Sequence, residues 1–174
     1  MWEKIDESIV YNGRRKVLKK TFKMPNGKQV DYEILKLGQM VCVLPLTSDK
    51  KVIIAKQFRT GPEKVLSELP GGGVKEGEDP KKAMERELLE ETGYNGTMIS
   101  LGKSYDSAYN TGVRHFFIAL DCEKTAEPQN DENEPIEVEL VSLDEFMDIL
   151  HSGELTDSET AYRALEYLSK NPKK

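Results

Sequence analysis

Three glutamates have a spacing that would place their carboxylates on one face of a helix. Glu87 lies three residues before Glu90 and four residues before Glu91, and side chains at these separations are neighbours on a helix surface. Such like-charged pairs destabilise a helix by about 0.2–0.5 kcal/mol each, and the helix macrodipole disfavours anions near the C-terminal end. A hard divalent cation would offset this repulsion, because Mg²⁺ prefers carboxylate and carbonyl oxygens and bridges readily to phosphate oxygens. The spacing therefore indicates a metal site that handles a phosphate-containing compound.

The helix that would carry these glutamates has recognisable signals at both ends. Asp79 can accept hydrogen bonds from the free N–H groups of a first turn, and Pro80 suits the first helical position. Gly93 is the residue type that adopts the left-handed conformation after a helix. Apolar residues recur between these ends at roughly helical spacing, at Ala83, Met84, Leu88 and Leu89. We predict a helix from Pro80 to Thr92.

A glycine-rich segment precedes this helix. Gly71 and Gly72 are predicted to let the backbone turn tightly and approach a ligand. Between these glycines and the helix, Glu78 lies within plausible reach of Arg86. We expect this pair to fix the loop against the helix and to orient the metal ligands rather than bind the metal.

The spacing of these residues resembles the Nudix box. Gly72 is followed after five residues by Glu78, after seven more by Arg86-Glu87-Leu88, and then, each after one residue, by Glu90-Glu91 and Gly93-Tyr94. The match is specific because many spaced positions have fixed identities, although an acidic surface helix after a glycine loop is the alternative. The resemblance implies a Nudix hydrolase, which uses divalent metal and water to cleave a nucleoside diphosphate linked to another group. It implies Mg²⁺, with Mn²⁺ as an alternative, bound by the Gly71 carbonyl, Glu87, Glu90 and Glu91, with Glu90 also catalytic.

The composition is that of a globular chain with one domain. With 174 residues it can bury a sizeable core, and its net charge of −6 gives no electrostatic reason to expect binding to nucleic acid or a membrane. Cys42 and Cys122 lie in or beside apolar runs and are expected to be buried, reduced thiols. The sequence shows no signal-peptide core and no apolar run of membrane-spanning length, so we expect a cytoplasmic protein.

The first 36 residues are predicted to form strands ahead of the catalytic domain. Two partly alternating stretches, 16–22 and 30–35, flank Asn26-Gly27, which is a strong hairpin signal. In this feature the chain resembles the ADP-ribose and nucleotide-sugar pyrophosphatases, whose extra N-terminal strand unit commonly helps to form a dimer. We therefore expect a hairpin extension at 1–36 and a homodimer. Trp2 either stacks on the nucleobase, as aromatic residues do in those relatives, or packs onto the hairpin or a partner subunit.

Residues 37–170 are predicted to form one domain. Apolar runs at 40–46 and 51–57 suit buried strands, and strand patterns recur at 97–101, 114–120 and 136–141. Capping-box sequences that begin at Ser142 and Thr156 predict helices at about 143–151 and 157–169. Alternating strands and helices indicate an α/β layered domain. The resemblance implies the Nudix α/β/α sandwich with a mixed sheet.

Further segments are similar to the same group of pyrophosphatases. Arg59 ends a Gln-Phe-Arg sequence that resembles one whose arginine approaches the substrate, and it has either that role or a place in a structural ion pair. An acidic stretch before a strand supplies a catalytic carboxylate in that group, which implies that Glu132 or Glu134 is the base. The loop Tyr105–Gly112 departs from the group, because it has no proline where a Ser-Pro-Gly-like sequence is usual.

These features predict Mg²⁺-dependent hydrolysis of a nucleoside diphosphate sugar, ADP-ribose or similar, to a nucleoside monophosphate and a sugar phosphate. The departing loop leaves open a housekeeping pyrophosphatase that acts on another nucleoside diphosphate derivative. A third interpretation is a non-catalytic sensor of a nucleotide sugar, although the intact set of carboxylates argues against it.

Overall fold

The computed structural model describes residues 1–129 and 135–172. Its elements follow in the order β1 (Glu3–Asn12), β2 (Lys16–Lys23), β3 (Gln29–Lys36), β4 (Gln39–Thr47), β5 (Val52–Arg59), β6 (Lys64–Glu68), β7 (Gly71–Gly73), α1 (Pro80–Thr92), β8 (Tyr94–Tyr105), β9 (Val113–Lys124), β10 (Ile136–Val141), α2 (Leu143–Ser152) and α3 (Ser158–Lys170). The chain divides into two compact units, Met1–Gln39 with Ser104–Arg114, and Met40–Lys103 with His115–Lys174. No helix in the described ranges is long and apolar enough to cross a membrane.

The first unit is built on a three-stranded antiparallel sheet in the order β1-β2-β3. The predicted hairpin is confirmed, since β2 and β3 pair from Lys16 opposite Lys36 to Lys23 opposite Gln29. Gly27 lies in the turn with a φ of +83°, which glycine adopts without steric cost. β1 adds a third strand at the edge of this sheet, so the extension is more than a hairpin.

The segment Ser104–Arg114 belongs to the same unit and is shaped by side-chain hydrogen bonds. The Thr111 hydroxyl accepts from the Leu37 N–H at 2.9 Å and donates to the Leu37 carbonyl at 2.6 Å. The side-chain amide of Asn110 donates to the Asp106 carboxylate at 2.7 Å. The loop that lacks the usual proline is therefore held by its own polar side chains and by the end of β3.

The second unit contains a seven-stranded sheet with the order β10-β5-β4-β9-β8, with β6 beside β5 and β7 beside β4. Successive residues of β4 enter different hydrophobic clusters: Cys42 and Leu44 join one, and Val41 and Val43 join the other. The first cluster includes side chains of α2 and α3, and the second includes side chains of α1. Each fully buried Val or Leu side chain stabilises the folded protein by about 1.5–3 kcal/mol, compared with the same side chain left exposed to water. Helices thus cover both faces, which confirms the predicted α/β sandwich on a mixed sheet.

The helix α1 has the predicted ends. The Asp79 carboxylate accepts from the backbone N–H groups of Lys81 and Lys82 at 3.0 and 3.2 Å, and Pro80 occupies the first helical position. Gly93 follows the last helical residue with a φ of +78°. Local capping chemistry therefore fixes both ends of the helix that carries the clustered glutamates.

The predicted capping box at the start of α2 is confirmed, whereas the one at the start of α3 is wrong. The Ser142 hydroxyl accepts from the Glu145 N–H at 3.2 Å, and the Glu145 carboxylate accepts from the Ser142 N–H at 2.7 Å. Within the described residues, Asp157 at the start of α3 makes no side-chain capping hydrogen bond. The Thr156 hydroxyl instead lies 3.0 Å from the Asp157 carboxylate and 3.3 Å from the Glu68 carboxylate. Contacts to carboxylates therefore stand where the predicted cap would have been.

Candidate active site

Arg86 on α1 forms hydrogen bonds with several glutamates of an acidic cluster, which consists of Glu78, Glu87, Glu90 and Glu91. Its Nη1 donates to Glu87 Oε1 at 2.8 Å and to Glu90 Oε2 at 3.1 Å. Its Nε and Nη2 donate to the two carboxylate oxygens of Glu78, each at 3.0 Å, and Nη2 also donates to the Gly73 carbonyl at 3.3 Å. The predicted ion pair between Glu78 and Arg86 is therefore present. The same guanidinium also offsets the repulsion between the glutamates of α1, which was not predicted.

This network changes the protonation of its members. The hydrogen bonds from Arg86, followed by one from the Lys75 N–H at 2.9 Å, lower the pKa of Glu78 from its ordinary 4.5 to about 2. The Glu78 carboxylate in turn raises the pKa of the Arg86 guanidinium. Both groups stay charged throughout the neutral range, so the loop stays joined to α1.

We expect the stability of the metal-free protein to depend on pH through Glu78. Because the folded pKa of Glu78 lies below the unfolded one, its contribution is complete above about pH 4.5 and is lost as the pH falls towards 2. Glu78→Gln should therefore be less stable than wild type at pH 7, and the difference should narrow steadily below pH 4.5. Urea unfolding followed by circular dichroism at a series of pH values measures this. Glu76→Gln, in the same loop, is the control, and a difference that stays constant with pH would contradict the assignment.

The segment Gly71–Gly73 forms the extended strand β7 rather than the predicted tight turn. None of these three described residues has a positive φ, and the first glycine after them that does is Gly77, at +76°. Small size is what Gly71 and Gly72 require instead. A Cβ added to Gly71 would lie 2.5 Å from a backbone carbonyl of β4, and one added to Gly72 would lie 2.4 Å from the carboxylate carbon of Glu87. The backbone of the strand thus lies close to the Glu87 carboxylate of α1, with no room for a side chain between them.

Glu91 is held against this strand and is partly buried. One of its carboxylate oxygens accepts from the Gly71 N–H at 3.0 Å. Burial raises the pKa of Glu91 from 4.5 to about 8, with repulsion from Glu87 acting in the same direction and the Gly71 hydrogen bond opposing it. The raised pKa favours the protonated form of Glu91 at neutral pH in the metal-free protein. Because metal ligands must be deprotonated, binding of a cation would release this proton.

The donor set fits a hard divalent cation, since it consists of three carboxylates and the Gly71 carbonyl. The described residues contain no group of three His, Cys, Asp or Glu side chains already arranged to hold a metal. The contacts above give the reason, because Arg86 is the counterion of Glu87 and Glu90 while the Gly71 N–H holds Glu91. A cation would take over the first two carboxylates from Arg86. The predicted metal ligands are therefore brought together, and their coordination stays a prediction.

Arg59 at the end of β5 forms one of its two predicted interactions, a structural ion pair. Its Nε lies 2.9 Å from both carboxylate oxygens of Glu68, and its Nη2 also donates to that carboxylate. The Glu68 side chain is 8% exposed, whereas that of Arg59 is 43% exposed. Attraction from Arg59 and repulsion from Glu68 both act on the carboxyl of Glu91, so the pair lies within electrostatic reach of the cluster. A substrate contact by the Arg59 guanidinium stays a prediction.

The remaining predicted site residues are in the first unit or outside the described residues. Trp2 belongs to the first unit, where its ring makes an edge contact with Phe22 at 6.3 Å between centroids, and it is 49% exposed. Packing onto the hairpin, one of the two predictions for Trp2, is therefore present, and stacking on a nucleobase stays a prediction. Glu132 and Glu134 lie outside the described residues.

Glu68 and Thr156 were not among the predicted site residues. The sequence signal for Glu68 is the Gly61-Pro62 turn, which lets β5 and β6 pair as a hairpin with Glu68 opposite Ala55. Thr156 donates to Glu68 from the segment before α3. No sequence pattern near Thr156 predicts its contact with Glu68, because that contact depends on how the C-terminal helices pack.

Comparisons with known proteins agree with this arrangement. The family model for the NUDIX domain matches residues 36–166. The chain is 35% identical over 148 residues to ADP-ribose pyrophosphatase of Bacillus subtilis (strain 168), which covers 83% of this chain and 80% of that protein. It is 30% identical to methanol dehydrogenase activator of Bacillus methanolicus, over 83% of this chain and 80% of that one. It is also 30% identical to GDP-mannose pyrophosphatase of Salmonella arizonae, over 82% and 81%.

A solved structure has the same fold. The crystal structure of an ADP compounds hydrolase aligns with a TM-score of 0.86 over 98% of this chain and 95% of that one. The two sequences are 21% identical, so this likeness concerns the fold.

Proposed function

This chain belongs to the Nudix family and is a Nudix pyrophosphohydrolase, and from that premise we propose that it cleaves the diphosphate of a nucleoside diphosphate sugar, ADP-ribose or similar. The observation that carries the proposal is the set of α1 carboxylates packed against the glycine strand β7. Pyrophosphatases of ADP-ribose and GDP-mannose among the relatives support a nucleotide sugar as the substrate class. The products would be a nucleoside monophosphate and a sugar phosphate.

The residues of the site have distinct roles in this proposal. Glu87, Glu90 and Glu91 would hold Mg²⁺, or Mn²⁺, with the Gly71 carbonyl. When bound, the ion neutralises diphosphate charge and lowers the pKa of a water molecule. Glu132 or Glu134 takes the proton of the attacking water, which adds to one phosphorus as the bridging P–O bond breaks. The guanidinium of Arg59 would bind phosphate oxygens while Glu68 keeps it in place.

Arg86 keeps the site intact before and after the metal binds. If a metal bound Glu87 and Glu90, Arg86 would lose its bonds to them, while its two bonds to Glu78 would still hold it in place. The guanidinium therefore stays beside the ligands as a charged support. This exchange is the role proposed here for the arginine of the box.

A substrate panel tests the proposed function. Purified protein with millimolar Mg²⁺ is assayed with ADP-ribose, GDP-mannose, a dinucleotide and nucleoside triphosphates, and phosphate-containing products are identified by mass. We expect the nucleotide sugars to be turned over with kcat/KM at least about tenfold above the other compounds. A chelator should abolish the reaction. Preference for a triphosphate or a dinucleotide would favour the housekeeping alternative, and binding of a nucleotide sugar without products would favour the sensor.

The housekeeping alternative is retained because of the loop Tyr105–Gly112. Asn110 donates one hydrogen bond to Asp106 and one to Ser107 in this loop, which lacks the proline usual in the group that the chain resembles. Asn110→Ala should change the ratio of kcat/KM values between substrates if this loop selects the group attached to the diphosphate. An unchanged ratio would show that the departure has no bearing on substrate choice.

A homodimer formed through β1 completes the proposal. All ten residues of β1 are exposed, and Ile5, Ile9, Val10 and Tyr11 are among them. A long edge strand with apolar side chains is a surface suited to pairing with another chain. Light scattering should give about twice the monomer mass of 19.7 kDa, and a monomer would contradict the proposal. The buried, reduced thiols of Cys42 and Cys122 are consistent with the cytoplasmic location proposed for this protein, because a reducing compartment keeps cysteine side chains as thiols.

A further inference from the structure

We propose that Gly93 is a positioning residue, because the absence of a side chain there lets the segment Thr125–Gln129 bind to the C-terminal end of α1. The segment leads directly into residues 130–134, where Glu132 and Glu134 lie. The inference therefore rests on the proposed function for its effect on the reaction, while the anchoring of the segment is tested separately below.

Three backbone hydrogen bonds join the segment to the helix end. The N–H groups of Thr125 and Ala126 both donate to the Gly93 carbonyl, at 2.9 and 3.1 Å. The N–H of Gln129 donates to the Glu90 carbonyl at 2.7 Å. That carbonyl is among the last four of α1, which have no partner within the helix. The segment thus caps the helix through the backbone of Glu90, a predicted metal ligand.

The contact leaves no room for a side chain at Gly93. A Cβ added there would lie 2.2 Å from the Ala126 carbonyl oxygen and 3.1 Å from the Ala126 carbonyl carbon. Any substitution must therefore move the segment away from the helix end, in addition to straining a backbone with a φ of +78°. Space and backbone conformation are two separate requirements at this position.

The chain is anchored again where the described residues resume. β10 begins at Ile136, which pairs with Gln57 of β5, two residues before Arg59. One anchor therefore lies on the helix with the clustered glutamates, and the other lies on the strand that carries the predicted phosphate-binding arginine. Displacing the first anchor would change the position from which the chain enters 130–134 without altering any of the predicted ligands.

The chain offers a matched control at the end of α2. Gly153 caps α2 with a φ of +79°, and an added Cβ there would have no described atom within 4 Å. Gly153→Ala and Gly93→Ala thus impose the same backbone strain on a helix end, and only Gly93→Ala collides with another segment. The difference between the two variants in hydrogen exchange and in kcat therefore reports the effect of displacing Thr125–Gln129.

The test compares hydrogen exchange and kinetics in the full-length protein with Mg²⁺. In Gly93→Ala we expect the amides of Thr125, Ala126 and Gln129 to exchange at least about tenfold faster. We expect kcat for ADP-ribose to fall about 10- to 100-fold with little change in KM. We expect equally little change in the metal midpoint, which is the Mg²⁺ concentration that gives half of the maximal rate. Gly153→Ala should match wild type in these amides and in kcat. Gln129→Pro, which removes the donor to the Glu90 carbonyl without filling space at Gly93, should repeat the fall in kcat if Gly93→Ala does not fold.

Two outcomes would overturn the inference. One is unchanged exchange of the three amides in Gly93→Ala, which would mean that the segment is not anchored by this contact. The other is faster exchange with an unchanged kcat, which would mean that the anchor does not matter to the reaction. If wild type cleaves no nucleotide sugar, the proposed function fails, and the exchange measurement still decides whether Gly93 holds the segment.

Discussion

Glu91→Gln is expected to lower kcat for ADP-ribose about 10³-fold, equivalent to about 4 kcal/mol of transition-state stabilisation. The variant keeps the shape of the side chain and can still accept from the Gly71 N–H. It cannot become an anion, so one of the charged ligands is lost. The same substitution should leave the metal-free fold intact, because a Glu91 with a pKa of about 8 is already mostly uncharged at neutral pH.

The measurements are initial rates at saturating Mg²⁺ and the shift of the melting temperature on adding metal. The variant should melt close to wild type without metal and should lose most of the metal-induced shift. Glu85→Gln, an exposed position on the same helix paired with Lys81, should behave as wild type in both measurements. Near-normal turnover by Glu91→Gln would exclude α1 as the source of the metal ligands.

Local chemistry explains why so much of α1 and its surroundings could be predicted. Asp79, Pro80 and Gly93 act on neighbouring backbone groups, and the helix has the ends that they specify. The Asn26-Gly27 turn and the apolar run that became β4 are likewise local signals, and each has the predicted structure. Residue types at short separations carry this information directly.

Long-range contacts explain what could not be predicted. The Gly71–Gly73 segment is extended because it pairs with β4. Gly71 is required by the close approach of β4 and Gly72 by the approach of Glu87, rather than by a turn. The Thr156 hydroxyl, which was predicted to cap α3, contacts the carboxylate of the distant Glu68 as well as that of Asp157. These features depend on which segments meet after folding, so spacing along the chain could supply the candidate residues but not their partners.

Among the loop glutamates, we expect one of Glu132→Gln and Glu134→Gln to lower kcat about 10²- to 10⁴-fold, the range for loss of a general base. The other should have a small effect, because a single carboxylate takes the proton of the attacking water. Neither substitution should change the metal midpoint, since both residues lie outside the set on α1. In the affected variant, the acidic limb of the pH dependence of kcat should disappear, because that limb reports protonation of the base.

Glu123→Gln is the matched control, because it removes an exposed carboxylate at the end of β9 and should leave both kcat and the pH profile unchanged. Comparing the loop variants with Glu91→Gln separates proton transfer from metal binding. The affected loop variant should change the pH profile of kcat, whereas Glu91→Gln should change the metal midpoint. If both loop variants retain near-normal turnover and pH profile, the base must come from within the α1 cluster. Glu90 is then the candidate, because Glu91 and Glu87 are held against β7 while the Glu90 side chain is 41% exposed.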